Sequence, residues 1–180
     1  TDYPCSFMFV ASMNPCPCGY YGDPTHRCVC TPGQIQRYMN KISGPLLDRI
    51  DIQCEISPVP FQDISKAAPG EPSAKIRERV IKAREVQAER FKDYKGIHCN
   101  AQMTERMIHQ FAEPDEQGIE LLRMAMEKLS LSARAYNRIL KVARTIADLA
   151  GSEQIKPDHI AEAVGYRTLD RGDWAERGHL

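Results

Sequence analysis

Residues 7–12, Phe-Met-Phe-Val-Ala-Ser, form an apolar run that reads as a buried strand, broken at Asn14-Pro15, where a proline forces the chain out of regular structure. Only six residues precede it. A central strand with so little chain to pair with exposes its backbone edges, so the pattern predicts one strand of a larger sheet of which this chain is a piece. Thr31-Pro32-Gly33-Gln34 predicts a helix start, with Thr31 as cap, Pro32 in the first turn and Gln34 at the capping-box spacing. Ile35, Tyr38, Met39 and Ile42 then share one face, and Ser43-Gly44-Pro45 ends the helix. Over 50–56 apolar residues alternate with Asp51, Gln53 and Glu55, the period of a half-buried strand.

The rest of the pattern is helical. Residues 58–72 hold four prolines and read as a linker or long loop. Ser73 is placed to cap a helix running to about residue 95 with Ile76, Val80 and Ala83 as its apolar spine. Further helices are predicted near 104–112, 114–129, 132–150 and 157–164, with Thr104 and Ser132 as N-caps, Pro114 and Pro157 at starts, and Gly151 and Gly165 as stops. Within 132–150 the stripe is Ile139, Val142, Ala143, Ile146 and Ala150. The last dozen residues read as a frayed end. The expected fold class is mostly α with a small β remnant. Its expected divisions are 1–57, a remnant of an α/β core with a cysteine loop, then 58–95, linker and basic helix, then 96–180, a helical bundle.

Composition narrows the chemistry. The 180 residues carry 24 Lys+Arg against 24 Asp+Glu, so no overall basic field marks a nucleic-acid binder and any such surface must be local. The helix over 75–95 is one candidate, with eight basic and four acidic residues, although a solvated helix with internal ion pairs has the same composition. No apolar run approaches the roughly 18 residues that span a bilayer, and the start lacks a secretory pattern, which predicts a cytoplasmic protein with no membrane partner. Four of the seven cysteines, Cys16, Cys18, Cys28 and Cys30, fall within fifteen residues. In a reducing compartment that spacing favours a tetrahedral zinc ion over disulfides, with His26 a possible substitute ligand and unmetallated or redox-active thiols the alternatives. Cys5, Cys54 and Cys99 read as small core residues.

Three polar residues stand out beside the cysteines. Asn14 sits at the end of the predicted strand, where an amide can orient water or contact phosphate, though a turn residue is the commoner meaning. Arg49 lies between Asp48 and Asp51 and reads either as a local ion pair or as a guanidinium offered to a phosphate. Arg134 falls in the first turn of a predicted helix, where a cation opposes the helix dipole unless an anion is shared there. With Arg138 and Lys141 it makes a basic stripe.

Three motifs, Phe-Val-Ala-Ser-Met-Asn-Pro-Cys-Pro-Cys-Gly, Ser-Gly-Pro-Leu-Leu-Asp-Arg-Ile-Asp-Ile and Leu-Ser-Ala-Arg-Ala-Tyr-Asn-Arg-Ile-Leu-Lys-Val-Ala-Arg-Thr-Ile-Ala-Asp-Leu, together resemble the C-terminal part of the magnesium-chelatase-like AAA+ ATPases, and within them the ComM subgroup. The resemblance runs from residue 7 to about residue 167. It implies a truncated AAA+ α/β core followed by a helical lid, hexameric rings, ATP with Mg2+ as cofactor, and DNA branch migration or helicase activity. It also implies roles: Asn14 as the sensor 1 amide that reads the γ-phosphate, Arg49 as the arginine finger completing a neighbour's site, and Arg134 as the sensor 2 arginine reaching its own subunit's nucleotide. The motif G-x-x-x-x-G-K-[ST] does not occur in the chain, nor does an apolar strand ending in acids that would hold magnesium. Both lie upstream in the family, so the chain by itself is expected to be catalytically silent. Two other expectations remain: a metal-insertion ATPase subunit loading magnesium into a porphyrin, and a non-enzymatic zinc module binding nucleic acid through the cysteine loop and the helix over 75–95.

Overall fold

The computed structural model describes residues 5, 7–56, 58–59 and 70–167. Most of the proline-rich stretch and the C-terminal dozen lie outside these residues. Two compact units divide the chain, one ending at Ile42 and the other beginning at Ser43.

In the first unit, residues 7–14 form no helix and no ladder, and Phe7, Met8, Phe9 and Val10 are exposed, Met8 by 87%. The strand expected at 7–12 is therefore absent among the described residues. A strand needs a neighbour to accept and donate its backbone bonds, and no described segment runs beside this one. Beyond the cysteine loop, α1 (Pro32–Met39) forms where its start signals fall. The Gln34 N–H donates to Thr31 Oγ1 at 3.4 Å and the Thr31 N–H to Gln34 Oε1 at 2.8 Å, closing the reciprocal cap. Ile35 is buried beneath it.

The second unit begins with α2 (Gly44–Leu47), a single turn around the Gly-Pro expected only to end its predecessor. It continues through α3 (Ser73–Phe91), a 3₁₀ turn (Asn100–Gln102), α4 (Glu105–Phe111), α5 (Glu116–Lys128), α6 (Ala133–Leu149) and α7 (Pro157–Gly165). Ser132 caps α6 by accepting the Ala135 N–H at 3.2 Å, and Gly151 at φ +67° supplies the left-handed turn that stops it. Helix α6 buries Ile139, Leu140, Ala143 and Ala147 between α3 on one side and α7 on the other. The buried stripe is thus wider than expected and rotated toward Leu140, while Ala150 lies exposed at the cap. Phe91, Met107, Leu122, Ile155 and Ile160 complete one core.

Three other expectations are corrected. Ser73 is the first residue of α3 and caps nothing, and the helix buries Ala83, Gln87 and Phe91 while Ile76 and Val80 are exposed, because the bundle covers only its C-terminal half. Pro114 does not begin α5: it forms an isolated parallel bridge with Ile155, and Asp115 caps the helix by accepting the Gly118 N–H at 2.7 Å. Residues 50–56 form no strand. Gln53 is the buried residue, its N–H donating to the Tyr166 carbonyl at 2.8 Å and its Nε2 to the Leu47 carbonyl at 3.2 Å, while Ile52 and Ile56 are exposed. Its register follows from one side chain bonding inward rather than from an apolar face.

A buried polar network ties α3 to α6. The Asp148 carboxylate, its side chain fully buried, accepts from Arg90 Nη1 and Nη2 at 2.7 and 2.6 Å, from Asn100 Nδ2 at 2.8 Å and from Arg144 Nε at 3.1 Å. Arg144 also donates to the Ser152 and Glu153 carbonyls, tying the segment that follows α6 back onto the helix.

Candidate functional site

The cysteine loop of the first unit leaves the extended segment at Cys16 and returns to α1 after Cys30. A turn closes it at its start, with the Gly19 N–H donating to the Cys16 carbonyl at 3.0 Å and Gly19 at φ +86°, a conformation that costs glycine nothing. The Sγ atoms of Cys16, Cys18 and Cys28 lie 3.4, 3.7 and 3.5 Å apart, and all four ligand atoms, Cys30 included, fall within 4.8 Å of one another. All four are free thiols, so these are non-bonded separations. A tetrahedral zinc ion with Zn–S near 2.3 Å places its sulfurs about 3.8 Å apart, so the donor set fits. The group is able to hold a metal.

Electrostatics agree with that fit. Backbone bonds from Tyr20 and Val29 lower the Cys18 thiol to about 6, while loss of surrounding water and the neighbouring sulfurs push Cys28 up to about 12. Four crowded sulfurs cannot all ionise without a cation among them, and a divalent metal supplies it. His26, the expected substitute ligand, takes no part; its ring stacks on Tyr20 and bonds Thr25. The other cysteines are not core residues, since Cys5 and Cys54 are exposed and Cys99 is half-buried. Asn14, in the same unit, is exposed, with no side-chain hydrogen bond among the described residues; its amide lies over Gly19.

Arg49 and Arg134 belong to the second unit and line one depression of about 340 Å³ together with Arg138, Lys141, Asn137 and Glu105, floored by Met103 and Ile108. Asp48 and Asp51 do not pair with Arg49. Asp48 accepts from the Ser132 hydroxyl at 3.2 Å and faces Arg167 at 3.9 Å, and Asp51 pairs with Arg138. Arg49 spends one Nη1 bond on the Pro45 carbonyl at 2.7 Å, and Arg134 has no side-chain bond among the described residues. Lys141 donates to the Ala101 carbonyl at 2.9 Å, and burial, helped by Arg138, pulls its pKa down. The depression therefore gathers four cations and one acid beside the start of a helix whose first turn carries no acidic residue. A cation in that turn is disfavoured by about 0.3–1 kcal/mol unless an anion joins it. Chemically the site is suited to an anion with several oxygens.

Comparison with known proteins now bears on both features. Residues 70–167 match the family described as "Magnesium chelatase, subunit ChlI C-terminal", and residues 1–64 match "Magnesium chelatase, subunit ChlI". The chain belongs to the magnesium-chelatase-like family. It is 43% identical over 171 residues to the competence protein ComM of Haemophilus influenzae and 44% identical over 170 residues to the uncharacterized protein YifB of Escherichia coli, each alignment taking in 94% of this chain. A more distant relative, the uncharacterized protein Mb2921c of Mycobacterium bovis, is 36% identical over 92% of the chain. The chain spans about a third, 32%, of the length of each of these relatives. No helix among the described residues is long and apolar enough to cross a membrane.

The spacing in the sequence led to the cysteines and to both arginines. It missed Asn137 and Glu105 as neighbours of the depression, and it missed the Asp148 network. A buried Asn100 and Gln87 bonded across 13 residues leave no local signal.

Proposed function

We propose that the chain is the sensor and lid portion of a cytoplasmic AAA+ ring ATPase acting on DNA, with Asn14, Arg49 and Arg134 reading the phosphates of ATP and Mg2+. The observation that carries this reading is the cationic depression, in which two guanidiniums with no ion pair among the described residues line one cavity beside a helix start. The resemblance to the family put the finger and the sensor 2 arginine on different nucleotides. Their shared depression supports a different division: both meet the same triphosphate, which in a hexamer with Arg49 as finger belongs to the neighbouring subunit. DNA as the partner, and branch migration or helicase work as the task, are what the resemblance to the ComM subgroup implies, and the relative that carries that name is called a competence protein.

The test uses a polypeptide that joins this chain to the nucleotide-binding segment. Arg49→Ala and Arg134→Ala are each expected to lower ATP turnover by roughly 10³-fold or more while leaving nucleotide affinity of the dissociated subunit within a few-fold. Lost affinity in the dissociated Arg134→Ala subunit would place that arginine on its own subunit's nucleotide and end the shared-site reading.

Zinc is the proposed occupant of the cysteine cluster, on the fit of the sulfur separations to a tetrahedron. Protein purified without chelator should carry about one equivalent, and its removal should disorder the loop because so short a segment has no core of its own. A metal-free protein with four freely titrating thiols rules the centre out.

A further inference from the structure

We propose that the tip of the cysteine loop is a stacking platform for single-stranded nucleic acid, with Tyr20 as the ring on which a base lies. This rests on the zinc reading, since the metal is what holds the loop that presents the ring. Between Cys18 and Cys28 the chain places Tyr20, Tyr21, His26 and Arg27 around a single acid, Asp23. Tyr20 is 44% exposed, and its ring is backed by His26, with centroids 4.9 Å apart and planes inclined by 26°. An aromatic ring braced on one side and open to solvent is the arrangement that accepts an unpaired base.

The brace is itself built into the loop. Asp23 Oδ1 accepts from the Thr25 N–H and hydroxyl, both at 2.7 Å, and from the His26 N–H at 3.0 Å, and these bonds hold the Asp23 carboxyl down at about 2. The Thr25 hydroxyl also lies 2.8 Å from His26 Nδ1, fixing the imidazole plane. Gly22 at φ +80° permits the turn between the two aromatic positions. Because it bonds inward, Asp23 is only 11% exposed, and the acid that would repel a phosphate is turned away while Arg27 faces solvent.

Charge sets the kind of recognition. Four thiolates with one zinc ion leave two negative charges, and with Asp23 they cancel Arg27, Arg37 and Lys41, the other charges between residues 7 and 42. Counterion release therefore supplies little here, and stacking supplies the contact. A base inside a duplex has both faces covered, so the platform selects single strands.

The experiment is fluorescence anisotropy of a labelled oligothymidine of about twenty nucleotides, a span that covers more than one site of the usual size. It is titrated with the 180-residue chain over a range of salt, with zinc content measured on every sample. Tyr20→Ala is expected to weaken binding at least about 5-fold with an unchanged salt slope, Tyr20→Phe to bind within 2-fold of the wild type, and Arg27→Ala to reduce the slope by about one. Duplex of the same length is expected to bind more weakly. Zinc-replete Tyr20→Ala protein that binds like the wild type, no binding to single strands at all, or equal binding to duplex overturns the platform and leaves the metal centre standing. A wild-type chain without zinc overturns the centre beneath it, and the elemental analysis tells the two failures apart.

Discussion

Replacing Asp148 with alanine should be the most damaging single change in the helical unit. Its carboxylate is fully buried and receives four donor bonds, two from Arg90, one from Asn100 and one from Arg144, whose side chains are 14% and 4% exposed in the case of the two arginines. Removing one partner of a buried pair typically costs about 3–5 kcal/mol, because the remaining charge is left without its counter-charge. Two features move the figure toward the lower bound: water reaches Arg90, and Arg144 keeps its bonds to the Ser152 and Glu153 carbonyls at 2.6 and 2.7 Å. We expect about 3 kcal/mol, read as a fall of roughly 1–3 M in the urea midpoint at unchanged slope, followed by far-ultraviolet circular dichroism. Asp148→Asn keeps an acceptor but no charge and should cost less. The network predicts coupling as well: in an Arg90→Ala background the Asp148→Ala change should cost at least about 1 kcal/mol less than alone. A cost under about 1 kcal/mol in the wild-type background, or additive single and double variants, would show that the four bonds do not act together.

Two further substitutions test packing and capping. A Cβ at Gly118 would meet Pro114 Cβ at 2.9 Å and Asp115 Oδ1 at 3.0 Å, so Gly118→Ala should destabilise the unit by about 1–3 kcal/mol although alanine is the better helix former; a stabilised variant in thermal unfolding would contradict the contact. Ser132→Ala removes the cap of α6 and its link to Asp48, and should cost about 1 kcal/mol in urea unfolding, with a cost near zero showing the cap to be idle.

What the sequence disclosed was local. The Thr31 to Gln34 cap, the Ser132 cap, the Gly151 stop and the four clustered cysteines each depend on residues close in the chain, and each is found in the structure. What it hid depends on which side a neighbour approaches from. The periodicity that selects Ile76 and Val80 as the spine of α3 is real, yet burial stops where the bundle stops, and Gln87 and Phe91 go inside instead. The partners Arg90 and Asp148 are 58 residues apart, and neither has a pattern pointing to the other. Gln53 reads as the solvent side of a strand until the Tyr166 carbonyl is seen to be its partner.

The same distinction explains why Arg49 stays available. In the sequence it is flanked by two acids and looks neutralised, which would make it an ordinary surface residue. Folding reassigns those acids. Ser132 at the head of α6 takes Asp48, Arg138 on the next turn takes Asp51, and Arg167 beyond α7 donates to the Ile50 carbonyl, so the segment is pinned at several points by partners 84 to 117 residues away. The first two bonds occupy the acids that would compete for the Arg49 guanidinium, and the third fixes the backbone between them. The position of this segment and the charge of the depression therefore have one origin. Loosening the pins, for example by Asp51→Asn, frees Arg138 and should make the depression more attractive to anions while making its geometry less defined. That combination, tighter pyrophosphate binding with a lower urea midpoint, follows from acids that hold the segment and also mask part of its charge, and from no account in which Asp51 serves only one of those purposes.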